Sequence, residues 1–212
     1  MLTRFIIFRH GETDWNAQKL LQGSSNIPLN ESGRRQAAAG AGAVKNIELD
    51  MAFASDYDRA VETAQLILRE KDMTLQIDPR LREWDAGDWE GVYAPDFFKE
   101  HPETIPAFVD GVGELQTPNG ESRDDLRKRV QAFFIETAEK YPGKTIMICT
   151  HGAALRCIVE LAIGRTQPGQ FLPLSANLAR NEIVYDHNRK AWGLVEWNYR
   201  GHLEHLQIKD AF

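Results

Sequence analysis

The sequence predicts an α/β fold, a three-layer α/β/α sandwich with a mostly parallel sheet, one antiparallel edge strand and a small inserted cap. Two observations point there. Short, continuous apolar runs alternate with segments of helical periodicity, the pattern of strands buried on both faces and joined by helical crossovers. The chain's 212 residues, 42% hydrophobic and 26% charged, supply enough apolar material for one core without disulfide or metal staples.

The elements follow in order. Phe5 to Phe8 is an uninterrupted apolar run that ends in polar residues, a buried strand. Ser32 is placed to cap a helix reaching about Val44. Met51 to Ala54 reads as a second buried strand, and Asp58 to Arg69 as a helix with Val61, Ala64, Gln65 and Leu68 on one side. Leu75 to Ile77 is a short third strand. A long helix runs from about Ser122 to Lys140 and is stopped by Pro142-Gly143. Thr145 to Cys149 is the next strand, and Ala153 to Ile163 a helix ended by Gly164. Glu182 to Tyr185 and Trp192 to Trp197 alternate as a hairpin around Asn188. The proline-bearing stretch from Trp84 to Gly120 reads as a cap of loops and short helices over the sheet, inside a single domain spanning residues 1–212.

Composition excludes several function classes. A net charge of -6 argues against a nucleic-acid partner, whose affinity comes from neutralised phosphates. No apolar run reaches membrane-spanning length, and the N-terminal run is too short for a signal peptide. Cys149 and Cys157 are read as reduced core thiols, so the expected setting is cytoplasmic. His202 and His205 lack a third ligand, so no metal and no cofactor is expected. Gly143-Lys144-Thr145 resembles the end of a P-loop, but it precedes a strand and the required upstream glycine is Ala138.

In open α/β sheets, ligands bind beyond the carboxyl ends of the strands. Those ends read Arg9-His10-Gly11, Ser55-Asp56-Tyr57-Asp58-Arg59, Leu81-Arg82-Glu83 and Thr150-His151-Gly152. Two histidines, two arginines and a glutamate thus meet on one rim. Arginine forks suit a dianionic phosphoryl group. An unprotonated ring nitrogen of His10 suits in-line attack on phosphorus, and His151 suits donation to an equatorial oxygen. The amides opening the helix after His151 add donors for an anion. Glu83 suits proton donation to the leaving oxygen and then activation of water. Asp85, Asp88 and Glu90 lie close by as competitors, and Arg82 is expected to be an ion-pair partner rather than a substrate contact.

These residues resemble the histidine phosphatase superfamily, which also contains cofactor-dependent phosphoglycerate mutases. The likeness runs through Arg9-His10-Gly11-Glu12-Thr13-x-Trp15-Asn16, Gln22-Gly23, Pro28-Leu29-Asn30-Glu31-x-Gly33 and Ser55-Asp56-x-x-Arg59-Ala60-x-x-Thr63-Ala64. It continues in Leu81-Arg82-Glu83, Gly120-Glu121-Ser122 and Thr150-His151-Gly152. The resemblance implies His10 as nucleophile, Arg9, Arg59 and His151 as the phosphate pocket, and Glu83 as acid. It further implies Asn16, Gln22, Gly23 and Gly152 as phosphate- or substrate-lining positions. Leu81-Arg82-Glu83-x-x-x-Gly87-x-Trp89-Glu90-Gly91 looks like the phosphatase members. The mutases are longer and carry an extra basic segment after the glutamate. Here Trp84 to Gly120 holds only Lys99 and His101 as basic residues, and instead carries Trp84, Trp89, Tyr93, Phe97, Phe98 and Phe108. The expectation is a metal-independent phosphatase acting on a small phosphomonoester, with a mutase as first alternative and a catalytically silent phospho-ligand binder as second.

Overall fold

The structure is a computed structural model and describes residues 1–106, 115–164 and 173–206. Six strands form one sheet in the order β3-β2-β4-β1-β5-β6. They are β1 (Leu2–Arg9), β2 (Met51–Ala54), β3 (Leu75–Ile77), β4 (Thr145–Thr150), β5 (Arg180–Asp186) and β6 (Ala191–Tyr199). Strands β3, β2, β4 and β1 are mutually parallel. The hairpin closes the sheet beside β1, as expected, but the strand running against the others is β5, and β6 beyond it is the edge. A two-strand hairpin added to a parallel sheet reverses direction twice, so its outer strand again points with the core.

The helices are α1 (Asp14–Ala17), α2 (Glu31–Val44), α3 (Asp58–Leu68), α4 (Ala94–Glu100), α5 (Arg123–Lys140) and α6 (Gly152–Ile163). The two-residue period of β1 assigns them to layers. Phe5 and Ile7, with Ile146 and Ile148 of β4, pack on Leu126, Phe133 and Phe134 of α5 and Leu155 and Ile158 of α6. Ile6 and Phe8, with Met147 and Cys149, pack on Ala37 and Val44 of α2 and Ala64 and Ile67 of α3. All four residues from Phe5 to Phe8 are buried, which is why the run is continuously apolar. Cys149 and Cys157 are buried free thiols in these layers, and burial pushes the Cys157 thiol up to about 12.

The α2 cap corrects the sequence reading. Asn30, not Ser32, is the cap: its side chain accepts from Gly33 N at 2.8 Å, two residues earlier than the sequence reading places it. Gly33 is needed there because a Cβ would stand 2.1 Å from Glu12 O, where the loop after β1 crosses the helix start. Between β3 and α5, 3-10 turns at Gly87–Trp89 and Pro102–Thr104 flank α4. This segment is stitched to the loop after α1 by Leu21 N to Val92 O (2.9 Å), Gly91 N to Leu21 O (2.8 Å) and Ala94 N to Lys19 O (2.9 Å). No described helix is long and apolar enough to cross a membrane.

Candidate active site

The parallel register of β1 and β4 opposes Arg9 to Thr150, so the next residues on each strand, His10 and His151, emerge side by side. Their rings lie 5.1 Å apart between centroids. His10 Nδ1 is 2.7 Å from Gly11 O, an interaction only an N–H can make, which leaves Nε2 with its lone pair. His151 is arranged the opposite way. Its Nδ1 accepts from Arg59 Nε at 3.2 Å, so Nε2 carries the proton, and that buried Nε2 has no hydrogen-bond partner among the described residues. Both histidines are held well below the ordinary value, first because burial penalises the charged ring and second because Arg59 lies beside each. Both therefore stay neutral at pH 7, one offering an acceptor nitrogen and the other a donor.

Arg59, in the first turn of α3, is fully buried. Besides His151 it donates through Nη1 to Ser25 O (2.7 Å) and through Nη2 to Gly23 O (2.9 Å). With its amide donating to Thr13 Oγ1, Gln22 accepts from Arg59 at 2.9 Å. Nη2 keeps a second N–H, and the residue lines the pocket. Burial pulls this guanidinium down to about 10. The loop it grips is held from the other side by Glu90, whose carboxylate accepts from Ser24 N (2.6 Å), Ser24 Oγ (2.7 Å), Ser25 N (2.9 Å) and Ser25 Oγ (2.5 Å). Gly23 has a positive φ of 52°, and a Cβ there would stand 2.3 Å from Glu90 Oε1, so this clasp admits only glycine. Among the acidic competitors of Glu83, Glu90 is thereby occupied as a structural clasp.

Arg9 donates through Nη1 to Ser175 O (3.0 Å), and its buried Nε has no partner among the described residues. Glu83 accepts at Oε1 from Trp84 N (2.9 Å) and from Ala153 N at the start of α6 (3.0 Å). The segment leading to it is pinned twice. Thr150 Oγ1 donates to Leu81 O (2.7 Å), and Arg129 donates to the carbonyls of Arg80, Arg82 and Glu83 at 2.8–2.9 Å while pairing with Glu121. Arg82 forms a bidentate pair with Asp56, as expected.

A cavity of about 440 Å³ opens over these groups. Arg9, His10, Arg59, Glu83, Asn16, Gln22, Gly23 and Gly152 all line it, and His151 lies buried behind its floor. Asn16 contributes less directly than its position suggests: its Oδ1 accepts from Thr13 N, closing a capping box on α1, and from Asn177 Nδ2. Of the cap aromatics, Trp84 and Phe98 reach the cavity, while Phe97 packs against Trp89 with ring centroids 5.0 Å apart. Phe108 lies outside the described residues. Among the described residues, no group of three or more His, Cys, Asp or Glu side chains could hold a metal ion.

Several residues of the site escaped the sequence reading. Asn177 donates to His10 O at 2.8 Å from a loop that carries no motif. Arg129 lies on the long α5, where nothing in the pattern separates it from its charged neighbours. Arg156 also lines the cavity; it stands four residues after Gly152 on α6, so helical spacing was a usable signal.

Comparison with known proteins finds likeness along nearly the whole chain. The family model described as "Histidine phosphatase superfamily (branch 1)" matches residues 5–200. The chain is 32% identical over 205 residues to the "Metal-independent phosphoserine phosphatase" of Arabidopsis thaliana, covering 95% of this chain and 84% of that one. It is also 32% identical over 203 residues to the "Phosphoglycerate mutase-like protein 4" of the same plant, covering 94% and 86%. Among solved structures, YhfR of Bacillus stearothermophilus superposes with a TM-score of 0.83 at 25% identity, over 95% of this chain and 100% of that one.

Proposed function

The chain belongs to the histidine phosphatase superfamily, branch 1, and from that premise we propose that it is a metal-independent phosphomonoester hydrolase working through a phosphohistidine on His10. The observation that carries this reading is the opposed pair of tautomers. His10 presents an unprotonated Nε2 to the arginine-lined pocket, and His151, buried directly behind its floor, carries its proton on Nε2.

In the first step His10 Nε2 attacks phosphorus, the bond from phosphorus to the ester oxygen breaks, and Glu83 delivers a proton to the departing alcohol. Arg9, the remaining N–H of Arg59 and His151 Nε2–H donate to the equatorial oxygens as charge spreads over them. In the second step Glu83 takes a proton from water, whose oxygen attacks the phosphorus. The P–N bond breaks, phosphate leaves, and Glu83 is again protonated. Gly23, Gln22, Asn16 and Gly152 form the lining around the transferred group. Residues 84–120 act as the cap that selects the alcohol, within a single domain.

Hydrolysis is favoured over mutase transfer by the cap's contribution to the cavity. Trp84, Ala86, Ala94, Pro95 and Phe98 line it, and neither of the cap's basic residues, Lys99 and His101, does. A mutase must retain a bisphosphorylated intermediate, which calls for several cations around the second phosphate. We place the enzyme in the cytoplasm on the strength of its reduced, buried cysteines.

The test is phosphate release from p-nitrophenyl phosphate and a phosphomonoester panel, in chelator, for the wild type and His10→Ala. Activity that survives chelator and is abolished in the variant is expected, together with an acid-labile phosphoprotein on rapid quench. Activity retained by His10→Ala would sink the mechanism, and its loss in chelator would sink the metal-independent reading.

A further inference from the structure

Glu83 stands where two cavities meet. It lines the phosphoryl cavity, and it also lines a second cleft of about 420 Å³ with Tyr57, Arg80, Asp85, Glu121 and Arg129. Among the described residues it alone belongs to both walls. Leu81 and Trp84 are buried and anchor the segment before and after it. Between them the backbone is extended at Arg82, with ψ of 157°, so Arg82 turns out to Asp56 while Glu83 faces the cavity. With open space on two sides, packing does little to hold this stretch, and its hydrogen bonds set where the carboxyl group sits.

Most of those bonds come from one side chain. Arg129, on α5, donates through Nη1 to Arg80 O (2.9 Å) and Arg82 O (2.8 Å), and through Nη2 to Glu83 O (2.8 Å). Its other two N–H groups go to Glu121, Nε to Oε1 at 2.6 Å and Nη2 to Oε2 at 2.8 Å. All five donors of the fork are thus committed. Arg129 lies outside the walls of the phosphoryl cavity, so it acts on substrate only through the segment it holds.

Gly120-Glu121-Ser122 has no task in the phosphoryl chemistry, and the fold gives it one here. Gly120 lets the chain pass Asp85 O, where a Cβ would stand at 2.5 Å. Glu121 N donates to Asp85 O (3.0 Å), and Glu121 O accepts from Trp84 Nε1 (2.7 Å). The carboxylate that holds Arg129 is therefore tied to the two residues that follow the acid. Ser122 caps α5 by accepting from Asp125 N (3.0 Å), which fixes Arg129 about two helical turns further on.

We propose that Arg129 is the positioning residue for Glu83, anchored by Glu121, and that this pair aims the carboxyl group at the leaving oxygen. The proposal rests on the reading of Glu83 as the acid and adds what places it. A carboxyl group displaced by about 1 Å loses most of its proton transfer to the alcohol. His10, Arg9 and Arg59 are held by other contacts, so the phosphoryl seat stays as it is. A lysine cannot replace the fork, because three donors on one nitrogen cannot serve three carbonyls and a carboxylate together.

The experiment is the leaving-group dependence of kcat/KM over nitrophenyl, phenyl and alkyl phosphates. It compares the wild type with Glu83→Gln, Arg129→Met, Arg129→Lys and the Glu83→Gln/Arg129→Met double variant. Arg129→Met is expected to lose about tenfold to a hundredfold on alkyl phosphates and about threefold or less on p-nitrophenyl phosphate, steepening the dependence as Glu83→Gln does. Added to Glu83→Gln, it should lower the rate by less than about threefold more, because the acid it aims is already gone. Arg129→Lys keeps a charge beside Glu121, so it serves as the folded test should Arg129→Met prove unstable. It should show most of the same selective loss, with the inhibition constant of inorganic phosphate within about twofold of the wild type. Equal losses on all leaving groups, full additivity with Glu83→Gln, or phosphate inhibition weakened in step with activity would overturn the proposal. A steep dependence in Glu83→Gln beside an unchanged one in both Arg129 variants would overturn it alone. An unchanged dependence in Glu83→Gln would instead sink the acid reading, and this proposal with it.

Discussion

Two arginines line the same cavity and are treated in opposite ways. Arg59 is fully buried, and its guanidinium is spent on Ser25 O, Gly23 O, Gln22 and His151 Nδ1. Arg156 is partly exposed in the wall and has no partner among the described residues. The difference separates two tasks. On the proposed mechanism the floor holds a reacting group in one geometry, and its cation is locked by the protein and passes that order on to a histidine tautomer. On the same reading the wall accepts the alcohol that carries the phosphate, and much of its surface is apolar. Rigidity sits where charge develops, and latitude sits where substrates differ.

The largest effect should come from unlocking the floor. Arg59→Met removes the proposed phosphate donor and the group that sets the His151 tautomer, and strands two loop carbonyls. We expect kcat/KM to fall about a thousandfold or more for every phosphomonoester, whatever its alcohol, with about 3 kcal/mol or more lost in stability. Steady-state kinetics and urea unfolding check both; a loss confined to one substrate would move Arg59 from the floor to the wall.

Glu83→Gln comes next and sharpens the boundary, because proton donation matters in proportion to how poor the leaving group is. A loss of about a hundredfold to ten-thousandfold is expected for alkyl phosphates and a smaller one for p-nitrophenyl phosphate. Equal losses for both would assign Glu83 to phosphoryl positioning.

The floor's electrostatics should also be visible in stability. His10, His151 and the partly buried His202 are all held below the usual histidine value, chiefly by burial. Below about pH 6.5 the unfolded chain therefore binds more protons than the native protein, so stability is complete above that pH and declines as pH falls through it. The acid-range slope measured by denaturant titration should flatten in His10→Asn. Ring resonances of His10 and His151 that titrate at the ordinary value would refute the neutral pair. The smallest effect is expected from the wall. Phe98→Ala should change kcat/KM by about tenfold or less and reorder alcohol preferences, read on a substrate panel, while leaving the phosphohistidine step intact.

Much of the floor was legible because it is local. Arg9-His10 and Thr150-His151 sit where apolar runs stop, and an apolar run with a polar end is a direct imprint of a strand leaving the core. The Asp58–Arg69 helix and the long Ser122–Lys140 helix followed from period and stop signals. Other features were not written locally. The Ser32 hydroxyl precedes the alanine-rich stretch and marks a cap in the sequence, whereas Asn30 takes that place in the fold, where the loop after β1 crosses at Gly33. Glu90 looked like a rival to Glu83, and only its contacts with Ser24 and Ser25 revealed a clasp.

By itself, then, the sequence determined the layer pattern, the strand ends that meet at one cavity and the residue types gathered there, because each depends on short-range periodicity and side-chain chemistry. Tertiary structure alone decided the tautomers of His10 and His151, the locking of Arg59 and the isolation of Arg156. Those depend on which atoms from distant segments come within hydrogen-bond reach. The β1–β4 register, the 22–25 loop and the packing of α6 against α5 make that selection only once the chain is folded.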